Sequence, residues 1–387
     1  MIHRREFVVG AAAIGVAVAL PRSVAAADPG VTADKIVFGQ VAAFEGPARA
    51  LGLGMQEGIT AAFYEANSAG GVKGRELELV TRDDGYEPAK SIEATKALIA
   101  QGVFALVGPV GTPTSMATHP VAKEADVPFI GPFTGAEALR NPYQAHIVNV
   151  RASYFQETEV MVERLTKDRN IGRIAIFYQD DAFGQAGLAG TQQALRKRSM
   201  QLAAEGKFAR NTVDVGEALE AIRKGAPQAV IMIGPYKPCA EFIKAARKER
   251  FEPTFANISF VGSDALAKEL GADGQGVLVT QVVPLPRDTS IPVVGAYQKA
   301  LQAALPNAQP GFVSLEGYLV GRTVIAALQT IDGDPSRKAL MEKLRDGTYD
   351  FGGFTLAFGP NNNQGSDAVY LTVIGADGQF TQAATLR

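Results

Sequence analysis

The sequence predicts an α/β fold built from two parallel-sheet units, and three observations carry the prediction. Short apolar runs alternate with amphipathic stretches from Lys35 onward. The runs are near-continuous in Val, Ile, Phe and Ala, the pattern of strands covered on both faces. The alternation occurs twice, over residues 35–148 and again over 171–283. Repeated strand–helix alternation lays helices against parallel sheets.

In the first series the predicted strands are 36–44, 77–82, 104–107 and 129–130. In the helix predicted over 53–67, Met55, Ile59, Ala62, Phe63 and Ala66 share one face at three-to-four spacing. Ile92, Thr95, Leu98 and Ile99 do the same over 88–101, where Pro88 suits the first helical position. The second series predicts strands at 174–178, 229–233 and 277–283, with helices at 156–168, 214–224 and 238–250. Past Pro284 the pattern predicts two helices, 314–329 and 335–346, then the segments 354–358 and 370–375. That tail is too poor in strands for a third domain, so it is expected to be shared by the first two, crossing between them more than once.

Residues 1–27 read as a cleavable signal peptide. Arg4-Arg5 precede an uncharged stretch at 7–20, and Ala25-Ala26-Ala27 offers a small-residue cleavage site. Fourteen apolar residues are too few to cross a bilayer core, which takes about 20. Arg4-Arg5-Glu6-Phe7-Val8 resembles the twin-arginine export motif. Removing 1–27 shifts the formal charge from −2 to −4. A mildly acidic chain without long charge runs argues against nucleic acid or anionic lipid as partner. Cys239 is the only cysteine, so no internal disulfide and no lipid-accepting cysteine after the apolar stretch is expected. The expected product is a freely diffusing monomer with no direct membrane insertion.

Catalytic machinery is not legible. His3, His119 and His146 lack metal-ligand spacing, and neither G-x-S-x-G nor a phosphate loop occurs. Gly52, Gly54 and Gly58 approach a dinucleotide fingerprint but place the last glycine one position late, so they read as a glycine-rich turn into a helix. Asp83-Asp84 and Asp180-Asp181 are either acid–base pairs or polar exits from buried strands. His119 and Cys239 read as structural. No enzyme, metal or cofactor is expected.

Parallel sheets bind ligands at the carboxyl ends of their strands. There the first series carries Gly111-Thr112-Pro113 and Gly131-Pro132-Phe133-Thr134-Gly135. Thr112 either caps its own helix or offers its hydroxyl, beside free helix amides, to an anion. The second series ends its strands in Asp181-Ala182-Phe183-Gly184 and Gly234-Pro235-Tyr236, whose aromatics would face the first series.

The order of these strings resembles the type I periplasmic binding proteins of branched-chain amino acid ABC importers, the Leu/Ile/Val-binding class. The residues that carry it are Phe44-Glu45-Gly46-Pro47, Asn67-Ser68-Ala69-Gly70-Gly71-Val72-Lys73-Gly74 and Arg82-Asp83-Asp84, followed by Ile130-Gly131-Pro132, the 181–184 turn and Gly317-Tyr318. The resemblance implies two doubly wound, Rossmann-like lobes joined by a three-segment hinge. Lobe 1 would hold 34–149 and 285–354, and lobe 2 would hold 150–284 and 355–387. It further implies a periplasmic protein that closes on a small organic ligand and delivers it to an inner-membrane ABC permease. A sensory role at a membrane receptor, or a secreted enzyme on the same fold, are the alternatives. By resemblance Thr112 holds a ligand carboxylate, Phe133, Thr134 and Gly135 contact the same group, and Phe183 and Tyr236 fold over the ligand; Tyr154 completes the set.

The departures from the family bear on the ligand. Ser259 stands where amino-acid binders place an acid against the ammonium, and a buried ammonium without counter-charge is costly. Leu51 replaces a pocket aromatic, and Tyr86 and Gly111 occupy the places of a disulfide found in some relatives. An aromatic or aliphatic carboxylate, or an amide, fits this pocket at least as well as an α-amino acid. Glu45 and Arg49, after the first strand, are left without a role.

Overall fold

A computed structural model describes residues 28–386, and the predicted export segment, 1–27, lies outside the described residues. The first unit runs β1 (Lys35–Ala42), α1 (Arg49–Ser68), β2 (Glu76–Asp83), α2 (Pro88–Ala100), β3 (Ala105–Val107), α3 (Thr112–Glu124), β4 (Phe129–Ile130) and β5 (Ile147–Val148). Its strands form one parallel sheet in the order β2-β1-β3-β4-β5. The central strand β3 is buried along its whole length. The edge strand β2 instead buries Leu77 between the exposed Glu76 and Glu78.

The second unit follows: α4 (Tyr154–Arg169), β6 (Ile174–Gln179), α5 (Ala182–Arg196), β7 (Glu205–Phe208), α6 (Gly216–Lys224), β8 (Ala229–Ile233), α7 (Tyr236–Lys248), β9 (Thr254–Asn257), α8 (Ser263–Leu270) and β10 (Leu278–Gln281). Strands β6 to β10 pair in parallel. The tail then supplies α9 (Pro292–Ala304), α10 (Phe312–Gln329), α11 (Arg337–Asp346), the hairpin β11 (Thr348–Asp350) and β12 (Thr355–Ala357), and finally β13 (Tyr370–Ile374) and β14 (Phe380–Gln382). The last two strands join the second sheet antiparallel, completing the order β14-β13-β10-β9-β8-β6-β7.

The chain passes between the sheets three times: after β5, after β10, and between β12 and β13. Helices α9 and α10 pack on α1 of the first unit, whereas β13 and β14 belong to the second sheet. The first and third passages run side by side, the Asn149 amide donating to Asn363 O at 2.7 Å and the Gly365 amide to Asn149 O at 2.8 Å.

Three sequence expectations need correction. The tail carries three helices rather than two, because α9 opens on Pro292 and buries Val293, Val294, Tyr297 and Leu301 on one face. Helix α1 begins at Arg49, so Gly52, Gly54 and Gly58 lie inside it rather than in a turn. Their lack of side chain serves packing: a Cβ on Gly58 would fall 1.9 Å from Ser314 O, and one on Gly317 would fall 2.4 Å from Met55 O. Glycines at both contacts let α1 and α10 approach backbone to backbone. Strand β7, absent from the expected set, has Glu205 and Lys207 alternating with buried Gly206 and Phe208 at the sheet edge.

Each sheet has its own aromatic core. Phe38 meets Phe63 and Phe104 at centroid distances of 5.2 and 5.9 Å in the first. Phe177 lies between Phe208 at 4.7 Å and Phe242 at 4.3 Å in the second. A third aromatic cluster spans the two units, and it coincides with the strand exits singled out above.

Candidate functional site

The exits of β3 and β4 in the first sheet face the exits of β6, β8 and β9 in the second. Thr112 is the first residue of α3, and the cap position belongs to Gly111, whose φ of 107° places it in the left-handed region. No side chain caps this helix. A Cβ on Gly111 would also meet the Tyr86 ring at 2.4 Å, so glycine is demanded by both backbone and neighbour. The capping expectation for Thr112 is therefore overturned. With Gly111 making the turn, the Thr112 hydroxyl points away from its own helix and hydrogen-bonds the Thr134 hydroxyl at 2.7 Å, with the Tyr154 phenol at 3.5 Å.

Phe133-Thr134-Gly135 is held by local geometry. Thr134 Oγ1 accepts from the Ala136 amide at 3.1 Å. A Cβ on Gly135 would lie 2.5 Å from the Tyr154 ring, so the glycine is what lets Tyr154 approach. Buried Arg140 braces the loop from behind, donating to Ala136 O at 2.9 Å, Arg151 O at 3.1 Å and Gln364 Oε1 at 2.6 Å. Burial pulls its guanidinium down to about 10.

From the second unit, Phe183 stands at the start of α5, where Asp181 caps the helix by accepting from the Phe183 amide at 2.9 Å. Its ring lies 5.6 Å from Tyr154 and 4.5 Å from Phe260. Phe260 in turn meets Phe133 at 5.3 Å and Tyr86 at 6.2 Å, so one ring touches aromatics from both units. The turn Ser259–Val261 then leads to Gly262, where Leu51 and Tyr236 converge. Leu51 Cδ2 lies 2.5 Å from where a Gly262 Cβ would sit, and the Ala50 amide donates to the Tyr236 phenol at 3.4 Å. All nine candidate residues, Leu51, Thr112, Phe133, Thr134, Gly135, Tyr154, Phe183, Tyr236 and Ser259, are buried, and the contacts above link them through the 259–262 turn.

Behind the rings sits a charge cluster that the sequence reading did not single out. Arg151 follows β5 on the first passage between sheets, with 1 % of its side chain exposed. Its guanidinium carbon stands 5.0 Å from the Phe133 centroid and 5.9 Å from that of Tyr154. Nη2 donates to Glu157 Oε1 at 3.0 Å and to Ser259 Oγ. The Glu157 carboxylate also accepts from the Ser259 amide at 2.8 Å, Ser259 Oγ at 2.9 Å and Thr280 Oγ1 at 2.6 Å. Glu316 on α10 comes to 3.5 Å from Arg151 Nη1, an ion pair too poorly aligned to be a hydrogen bond. Burial pushes the Glu316 carboxyl up to about 7, against the opposing pull of Arg151.

Local signals for this cluster do exist. Glu157 shares the buried face of α4 with Met161 and Leu165, and Glu316 interrupts an otherwise apolar stretch of α10. An acid on an apolar face announces a buried partner, though not which one.

The acid–base candidates have structural work. Asp84 accepts from the Tyr86 amide and the Ser91 hydroxyl at 2.8 Å each. Asp181 caps α5 and pairs with Arg210, which also reaches Glu87 at 2.9 Å, so Arg210 ties the two units at one rim of the assembly. His119 Nδ1 and His146 Nε2 lie 3.3 Å apart, and burial pulls His146 down to about 4. Among the described residues no group of three or more His, Cys, Asp and Glu could hold a metal ion, and no helix is long and apolar enough to cross a membrane. Glu45 and Arg49 are exposed.

Comparison with known proteins matches this architecture to one family. A family model described as a periplasmic binding protein matches residues 35–379. A solved structure described as a possible leucine/isoleucine/valine-binding protein from Rhodopirellula baltica superposes with TM-score 0.88 at 39 % identity, covering 91 % of this chain and 97 % of that one. An extracellular ligand-binding receptor from Verminephrobacter eiseniae gives TM-score 0.82 at 31 % identity, covering 90 % and 99 %. The Leu/Ile/Val-binding protein BraC3 of Rhizobium johnstonii is 23 % identical over 321 residues, 81 % of this chain and 84 % of its own.

Proposed function

The chain belongs to the periplasmic binding protein family, and from that premise we propose that it is an exported solute-binding protein serving an inner-membrane ABC permease. Its ligand is a small organic molecule: an amino acid, an apolar or aromatic carboxylate, or an amide. The two lobes are 34–149 with 285–354, and 150–284 with 355–387, and the three passages between the sheets act as the hinge. The observation that carries this reading is the convergence of strand exits from both sheets on a single assembly of hydroxyls and aromatic rings. Such exits are where parallel sheets offer backbone and side chains to a ligand.

In closing, the hydroxyls of Thr112 and Thr134 engage the ligand's polar end from lobe 1. Phe183 and Tyr236 then fold over it from lobe 2, a hinge closure in which each lobe supplies part of the enclosure. Relatives named for leucine, isoleucine and valine binding support the solute-binding role. Residues 1–27 direct the chain to the periplasm, and Arg4-Arg5 resembles the signal of the twin-arginine route.

A thermal-shift screen of amino acids, aromatic acids, short fatty acids and amides tests the reading. A ligand present at 100 times its dissociation constant stabilises by about 2.7 kcal/mol, which raises the melting midpoint measurably. At least one class is expected to do so. Absence of any shift across all four classes contradicts a solute-binding role.

A further inference from the structure

We infer that Glu87 and Arg210 are positioning residues for closure, and the inference rests on the solute-binding reading above. With Asn211 they form a clasp between the two units that sets how readily the protein closes, without touching the solute. The first observation is where the turn after β2 spends its polar groups. Gly85, Tyr86 and Glu87 are consecutive, and each bonds to the second unit. Asn211 Nδ2 donates to Gly85 O at 3.0 Å and to Glu87 Oε1 at 2.7 Å. Arg210 Nη2 donates to Glu87 Oε2 at 2.9 Å, and Gln179 Nε2 donates to the Tyr86 phenol at 3.3 Å. Both carboxylate oxygens of Glu87 are thus held from the opposite unit.

The second observation is that local structure leaves these groups free for that task. Glu87 occupies the cap position of α2, where an acid is favoured by the free helix amides, yet its side chain makes no cap. Gly85 and Tyr86 both adopt positive φ, 55° and 62°, although Tyr86 is a bulky residue buried completely. Such a conformation persists only where its surroundings over-determine it. Asp84 does so from behind, accepting from the Tyr86 amide and the Ser91 hydroxyl. The turn is therefore preset to present its polar groups to the second unit.

The third observation is the receiver. Arg210 Nη1 donates to Asp181 at 3.1 Å, and Asp181 caps α5 through the Phe183 amide. The clasp is thereby joined to the helix start that carries Phe183. The side chains of Arg210 and Glu87 are 24 % and 38 % exposed, so salt screens their attraction. The aromatic contacts between the units carry no such dependence.

Spin labels on Ala97→Cys in α2 and Glu217→Cys in α6, both exposed positions, report the separation of the units; Cys239 is buried and stays unlabelled. Pulsed electron spin resonance on this protein, with no solute added, is expected to show a short-distance population at low salt. Glu87→Gln is expected to lower the ratio of short to long populations about fivefold. Salt at 1 M, where the Debye length is about 3 Å, is expected to lower it in wild type but not in Glu87→Gln. Adding Arg210→Gln to Glu87→Gln is expected to lower it no further, since both act on one contact. The control is Lys207→Gln, which removes an ion pair to Asp180 inside the second unit and is expected to leave the ratio unchanged. If a variant does not fold, the salt response of wild type decides alone. A ratio insensitive to Glu87→Gln or to salt, an equal fall in Lys207→Gln, or a wild-type distribution without the short population overturns the clasp. Each of these leaves the solute-binding reading intact, because the thermal screen decides that separately.

Discussion

Glu157→Leu is expected to destabilise the protein by about 3–5 kcal/mol, measured by urea unfolding. Removing this carboxylate takes the hydrogen-bonded partner from buried Arg151 and leaves it only the Glu316 ion pair at 3.5 Å. It also deprives the Ser259 amide, the Ser259 hydroxyl and the Thr280 hydroxyl of their acceptor. Leucine restores volume but none of these contacts, and breaking one partner of a buried pair leaves the other's charge poorly compensated. The control lies two residues along the same helix. Glu159 pairs with Lys197 and Arg198 at a partly exposed position, and Glu159→Leu is expected to cost under about 1 kcal/mol. Equal effects of the two substitutions would show that the buried cluster contributes no more than a surface pair.

Phe260→Ala is expected to act mainly on binding. Truncating a buried phenylalanine costs about 3–5 kcal/mol. Phe260 shares its contacts between Phe183 of its own unit and Tyr86 and Phe133 of the other. The loss therefore falls largely on the closed arrangement, where those rings meet, rather than on either sheet's own core. A loss of about 3 kcal/mol in the closed form corresponds to a roughly hundredfold weaker dissociation constant for the best ligand from the thermal screen. Affinity within twofold of wild type would remove Phe260 from the enclosure.

Much of the fold was legible because parallel strands advertise themselves. A run such as Ala229–Ile233 is buried at every position, so its apolar continuity follows directly from its place in the sheet. Edge strands were harder: β7 carries two charges in four residues, since one of its faces meets solvent. Helix α9 was lost among small residues, Gly295, Ala296, Ala300, Ala303 and Ala304, which blur the contrast between faces.

At the site, the same division holds between local and distant causes. Thr112, Phe133, Thr134 and Phe183 could be located because each follows a strand, and strand exits converge by topology. The role of Thr112 depended on one backbone angle, the positive φ of Gly111, which moved the cap one residue upstream. Arg151, Glu157 and Glu316 could not be assembled from local pattern. Arg151 and Ser259 are 108 residues apart in the chain, and their meeting depends on the passage after β5 lying against the exit of β9. Phe260 was hidden for the same reason: an aromatic in a short turn looks the same whether it faces its own core or the opposite lobe.

The central claim is that a solute is enclosed between the two sheets at the Thr112, Tyr154 and Phe183 assembly. A crystal structure of the protein with the tightest ligand from the thermal screen tests it most directly. Ligand density is expected in contact with Thr112, Phe133 and Tyr154 from one side of the cleft and Phe183 and Phe260 from the other. A separate surface cavity of about 680 Å³ lies elsewhere, lined by Asp264, Leu285, Arg287, Phe312 and Phe380 among others. Density confined to that cavity, with the aromatic assembly still packed on itself, would contradict the account.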